Sequence, residues 1–215
     1  MKRFVRFFLV VVASAGASAL GFAQSRTTPN AATYISEQEI KTVAATPASD
    51  RTIKVVDIGP EDLALGVVHR GPLAAAPQST PSPARSAAPA ADSCGQQLST
   101  APSGPGGTTH DQQTEAYYVL SGSGTLATGG HIVNGRRSQS DSDTTKILNG
   151  PSCSGTIGGA DMVTKLVKAG DVVIIPAGVP HGWIEIPDHL DYLSFRPSAR
   201  VLEAGYVHPA IKNVH

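Results

Sequence analysis

The sequence predicts an all-β fold, a double-sheet barrel or jelly roll preceded by a short N-terminal helix. Three observations carry that expectation. Gly 22 and Pro 16 in 215 residues supply many turns. About eight to ten short apolar runs lie between those turns, the pattern of a sandwich or barrel. A single stretch has the signature of a helix start. The length suits one domain with appendages. Lys+Arg 17 balance Asp+Glu 17, with a pI near 7.1. No excess of one sign exists to build a field that would draw the chain to nucleic acid or to an anionic membrane.

The chain opens with Lys2, Arg3 and Arg6, then the apolar run Phe7 to Val12 and small residues to Leu20, then Gly21-Phe22-Ala23. That is the form of a secretory signal peptide over 1–23, with the mature chain expected to begin near Gln24 in a bacterial periplasm or beyond. An uncleaved anchor is disfavoured, because the strongly apolar part is short of the roughly 20 residues of a bilayer span.

An N-terminal arm over 24–50 carries the helix. Ser36 and Glu39 form a capping box, Ile35 and Ile40 stand as a hydrophobic staple, and Pro47 follows, so the helix spans Glu37 to Ala44. It is placed to lie on the outside of the barrel or to brace a homodimer. The barrel is expected over 51–200. Arg51 to Ile58 and Leu63 to Arg70 are strands around the turn Gly59-Pro60-Glu61-Asp62. The segment 72–92 is rich in Ala, Pro and Ser and has almost nothing to bury, so a flexible loop is expected.

Further on, Ala116 to Leu120 and Thr125 to Thr128 read as strands joined by a turn at Ser121 to Gly124. Asn134 to Gly159 reads as polar loop with strand signals only at Lys146-Ile147-Leu148. Met162 to Val167, Val172 to Ile175, Trp183 to Ile186 and Leu190 to Arg196 complete the strands, and 201–215 is a tail. Cys94 and Cys153 both fall in loop sequence. An oxidising compartment permits them to pair; two free thiols are the other reading. Neither has a Cys or His neighbour at ligand spacing, which argues against a cysteine metal site.

Two stretches carry the chemistry. The first has Thr108, His110, Glu115 four residues later, and Gly122 after six more. The second has Gly170, Pro176, Gly178 and His181, with Glu185 beyond. Both resemble the paired motifs of the cupin superfamily. The first of those reads His-x-His, Glu, Gly; the second reads Gly, Pro-x-Gly, His, Asn. The resemblance covers about residues 63–196. It implies a double-stranded β-helix and a divalent transition metal (Fe, Mn, Zn, Ni or Cu) held by His110, Glu115 and His181 beside a small-molecule substrate or ligand. Thr108 stands where the family has its first histidine, and Glu185 where it has asparagine.

The spacing agrees with that set. Residues 110 and 115 differ by an odd number, so one continuous strand would send them to opposite faces. The polar Asp-Gln-Gln-Thr between them reads instead as a bend that lets both aim inward. Two imidazoles and a carboxylate leave open coordination positions. His69 shares parity with Leu63, Leu65 and Val67 and is the candidate fourth ligand; its structural alternative is a strand cap. Glu185 shares parity with His181 and Trp183 and is the candidate catalytic acid or base; its alternative is a solvated strand end. Tyr117, Trp183 and Thr108 are candidate pocket-lining residues. Three functions follow: a metal-dependent oxygenase or isomerase, a non-catalytic small-ligand module such as a sugar binder, or a metal-free epimerase exchanging protons through His and an acid.

Overall fold

The computed structural model describes residues 28–75, 92–100 and 103–214. The expected leader, most of the segment 72–92, and His215 lie outside the described residues. Within them the order is α1 (Glu37–Ala44), β1 (Asp50–Asp57), β2 (Asp62–Arg70), β3 (Ser93–Cys94), β4 (Gly106–His110), β5 (Glu115–Thr128), β6 (His131–Arg137), β7 (Ser152–Gly158), β8 (Val163–Lys168), β9 (Val172–Ile175), β10 (His181–Glu185) and β11 (Leu190–Ser198). All the strand pairings are antiparallel. The fold is the all-β double-stranded β-helix that the sequence implies.

Strand β5 organises it. The expected turn at Ser121 to Gly124 does not form; the chain runs straight through as one 14-residue strand. Its first half lies between β9 and β11, its second between β8 and β10. It therefore belongs to both sheets. The passage is made around Gly122, whose φ is +74°, two residues beyond Leu120, which the register with β11 skips. A Cβ at that position would stand 1.9 Å from the His189 carbonyl oxygen, so only glycine fits. A glycine stretch that reads as a turn is here the place where one strand passes from sheet to sheet.

The expected polar loop from Asn134 to Gly159 holds one strand and the end of another. His131–Arg137 and Ser152–Gly158 lack clean apolar alternation, yet they bury Ile132, Val133, Cys153 and Ile157. The strand signals at 146–148 belong instead to a π-helical turn, Thr144–Asn149. Cys94 and Cys153 form a disulfide with Cα atoms 6.0 Å apart. It passes over β6 at Gly135, where a Cβ would meet Cys153 Sγ at 2.7 Å.

The barrel interior is filled by Val68, Val119, Leu126, Ile186 and Leu190 with Tyr117 and Tyr192. A second layer covers the outside of β1 and β2. There α1 places Val43 against Ile53, Val67 and Ile211, with Ile35 and Ile40 alongside. The helix starts as its sequence dictates: Ser36 Oγ accepts from the Glu39 amide at 3.2 Å, and the Glu39 carboxylate accepts from the Ser36 amide at 2.7 Å. The tail adds Leu202 and Ile211 to these outer clusters, and Val207 bridges to Lys54. Among the described residues no helix is long and apolar enough to cross a membrane.

Candidate metal centre

One end of the barrel opens into a cavity of about 510 Å³ lined by residues of β2, β4, β5 and β10. The two motif stretches meet there. Residues 111–114 make the expected bend between β4 and β5, so His110 and Glu115 both point inward. The turn Pro176 to Pro180 leads into His181, and the Gly178 amide donates to the His110 carbonyl at 2.7 Å. That bond ties one motif to the other. Thr108 and His181 are register partners across β4 and β10.

His110, Glu115 and His181 are all buried, and one ligand-capable atom of each lies within 4.8 Å of the others. His181 Nε2 is 3.3 Å from Glu115 Oε2, and His110 Nε2 is 3.8 Å from Glu115 Oε1. Both imidazoles are held by the opposite nitrogen. His181 Nδ1 donates to the Val179 carbonyl at 3.1 Å. His110 Nδ1 lies 2.8 Å from Ser152 Oγ, whose own proton faces the carbonyls of Asn149 and Gly150, so the serine accepts from the imidazole. Each ring thus turns its Nε2 toward the carboxylate, the orientation in which histidine ligates. Ser152 neighbours Cys153, so the disulfide fixes the strand that fixes His110.

Burial and neighbouring charge set the state of His110, Glu115 and Tyr117. Burial pushes the His110 imidazole down to about 4, with His181 and Arg196 acting in the same direction and Glu115 opposing. Burial alone would raise Glu115, but Arg196, His181 and His110 together hold its carboxyl well below the usual carboxylate range. Burial, reinforced by the Glu115 charge, pushes the Tyr117 phenol well above its ordinary value. At neutral pH the site therefore sets a neutral His110 imidazole, one carboxylate and one neutral phenol around the His181 ring.

Arg196 was not singled out by its sequence, and it matters most among the additions. It is 1 % exposed; Nε donates to Glu115 Oε1 at 2.9 Å, and Nη2 donates to both oxygens of Asp50 at 2.9 and 2.7 Å. Tyr117 donates its hydroxyl to Glu115 Oε2. The available signal was parity, since Tyr192, Ser194 and Arg196 alternate inward along β11. A charged residue on that face is easily read as solvated.

Of the other candidates, Tyr117, Trp183 and Thr108 line the cavity. The Thr108 hydroxyl is engaged with β7, accepting from Ser154 Oγ at 3.1 Å and donating to the Cys153 carbonyl at 3.3 Å. His69 does not reach the site. It shares a face with Leu65 and Val67 as expected, but that face is the outer one under α1. There its Nδ1 lies 2.6 Å from Asp191, with the side chain half exposed. Glu185 is exposed and does not line the cavity. A bulge between Trp183 and Glu185 breaks the parity that was to aim it inward, and Ile186 takes the inward place instead.

No family model matches the sequence, and no curated protein matches it. Among solved structures, the chain is similar to a protein from Bacillus halodurans at 14% identity, over 81% of this chain and 87% of that one, with a TM-score of 0.40. A conserved protein with a double-stranded β-helix domain from Klebsiella pneumoniae gives 14% identity, coverage of 80% and 94%, and a TM-score of 0.37. The DMSP lyase of Ruegeria pomeroyi gives 15% identity, coverage of 74% and 51%, and a TM-score of 0.35. The likeness to the cupin superfamily stands on the chain's own features: a double-stranded β-helix in which both motifs meet in one cavity.

Proposed function

We propose that this is an exported cupin-like protein that holds a divalent transition metal on His110, Glu115 and His181 beside a small-molecule pocket. The observation that carries this reading is the convergence of three buried donor groups, with each imidazole oriented through its far nitrogen. The donor set suits the metal: neutral nitrogens and one anionic oxygen are the ligands of Fe, Mn, Zn, Ni or Cu in sites with open positions. When bound, the ion would supply Lewis-acid polarisation or an oxygen-binding position, the chemistry of an isomerase or an oxygenase. The chain's own part is to present the two Nε2 atoms, to keep Glu115 ionised through Arg196, and to wall the pocket with Tyr117 and Trp183. Export accords with the disulfide, which an oxidising compartment sustains.

A second reading, a non-catalytic small-ligand module, is favoured by a specific observation. Glu115 already accepts from both Arg196 and Tyr117, and Thr108 supplies no imidazole, so the ligand set is weaker than four free donors. Elemental analysis of the purified protein, before and after reconstitution, separates the two. The expected result is close to one equivalent of a transition metal, lost in His110→Ala and His181→Ala. Metal at background even after reconstitution would leave the binding-module reading standing alone.

A further inference from the structure

We infer that Arg70 is a carboxylate anchor, and that the molecule received by the cavity is a small organic acid. The inference rests on the cavity being a small-molecule site, as proposed above, and not on the identity of any metal.

Arg70 ends β2 with inward parity, following Val68, and lines the same cavity as His110, Glu115 and His181. Its position is set by pairing with Leu190 on β11. The chain then crosses the mouth, where Leu73 and Ile186 exchange backbone hydrogen bonds at 2.9 and 2.8 Å. Among the described residues Arg70 has no ion pair. Its one side-chain contact to a polar atom is Nε donating to the Tyr192 hydroxyl at 3.4 Å. Three other arginines are engaged by carboxylates: Arg136 with Asp92, Arg137 with Asp111, and Arg196 with Asp50 and Glu115. The two carboxylates that line the cavity, Asp50 and Glu115, are both bound by Arg196. Arg70 is thus a half-buried guanidinium facing the cavity, its Nη donors uncommitted among the described residues.

A planar fork of donors in a partly desolvated site matches a carboxylate in geometry and charge. The lining carries Asp50, Glu115 and Arg70, and Arg196, buried behind the two carboxylates, completes a balanced set; a divalent ion on the three donors would make it positive, and an anionic guest would restore the balance. The remaining walls are aromatic. Tyr117 and Tyr192 have ring centroids 4.4 Å apart, and Trp183 lies 6.0 Å from Tyr192. A flat or short apolar body behind the carboxylate fits those walls.

Trp183 is the one tryptophan of the chain and stands in the cavity, so its fluorescence reports occupancy directly. Titration with pyruvate, succinate and benzoate, against pyruvamide, succinamide and benzamide and against inorganic phosphate, tests the inference in chelator-treated and metal-reconstituted protein. The expected result is that at least one carboxylate binds while its amide does not. Arg70→Gln should weaken that binding about tenfold or more, the range for loss of a charge-assisted bond, with Arg70→Lys in between. Metal content and melting temperature of Arg70→Gln should match the parent, which separates anchoring from folding. Equal binding of acids and amides, unchanged affinity in Arg70→Gln, no binding by any carboxylate in either form, or a preference for phosphate over all of them would each overturn the inference. Absence of metal with Arg70-dependent carboxylate binding would instead overturn only the metal reading.

Discussion

Two places in this barrel bring histidine and carboxylate together, and they behave as opposites. Inside, His110, His181 and Glu115 are nearly sealed, with imidazole nitrogens 3.8 and 3.3 Å from carboxylate oxygens and Arg196 behind them. Outside, His69 meets Asp191 at 2.6 Å, Asp191 accepts from Ser121, and His189 contacts both Ser121 and Asp188. The outer contacts are shorter, yet water competes for every one of them. Residue type and proximity are the same in both; burial decides which set must hold its charges in a fixed state. A buried charge that loses its partner is costly, whereas an exposed pair contributes about 0–1 kcal/mol.

Breaking the inner set should therefore have the largest effect. Glu115→Ala leaves the buried guanidinium of Arg196 with Asp50 as its one carboxylate partner, and a loss of about 3–5 kcal/mol in metal-free stability is expected by denaturant unfolding. The same variant should bind no metal. Next comes the disulfide. It closes a separation of 59 residues, which in the chain-entropy model is about 4 kcal/mol. Because Cys153 adjoins Ser152, the Cys94→Ser/Cys153→Ser variant should also lower metal affinity, while a control at the outer face should not. Loss of stability with unchanged metal affinity would show that the disulfide does not support His110.

The two regions should also titrate in opposite directions. His110 is held neutral by burial, with its pKa near 4 against about 6.5 for an unfolded histidine. Between those values the unfolded state binds the extra proton. Stability from this group is thus fully present above about pH 6.5 and is lost as pH falls toward 4. For a shift of this size the loss is about 3 kcal/mol. The Glu115 carboxylate, held low, adds loss of the same sign only at more acid pH. His189 is raised by its hydrogen bond to Asp188, so its contribution is present below the unfolded pKa and fades as pH rises through the folded one; lying at the surface, where water screens it, it should barely register. Melting temperatures of chelator-treated protein from pH 4 to 8 should rise with pH, and His110→Gln should flatten the rise. An unchanged slope in that variant would mean that His110 is not the group responsible.

Much of this was legible from the chain alone. The helix was, because Ser36, Glu39 and Pro47 mark its ends by local chemistry. The three converging residues were, because motif spacing and the polar bend at 111–114 constrain them locally. What was not legible depends on contacts distant in sequence. Gly122 reads as a turn until the His189 carbonyl, brought by β11, shows that the strand continues there because no side chain would fit. Glu185 reads inward until the bulge after Trp183 reverses its parity. Arg196 reads as surface until Asp50, 146 residues away in sequence, is found beside it. For His69, period-2 alternation gave the right companions but could not say which face the outer layer of α1 would cover.

That last distinction gives the smallest expected effect and the sharpest check on the outer pair. His69→Ala removes a half-exposed imidazole from Asp191, which keeps its bond from Ser121. Stability should change by no more than about 0.5 kcal/mol, as for surface substitutions away from caps and buried networks. Metal stoichiometry and affinity should be those of the parent. If His69→Ala instead lowered metal affinity, the outer face would have to rearrange on metal binding. A strand bonded on both sides, with β1 on one edge and β11 on the other, does not permit that without unpairing.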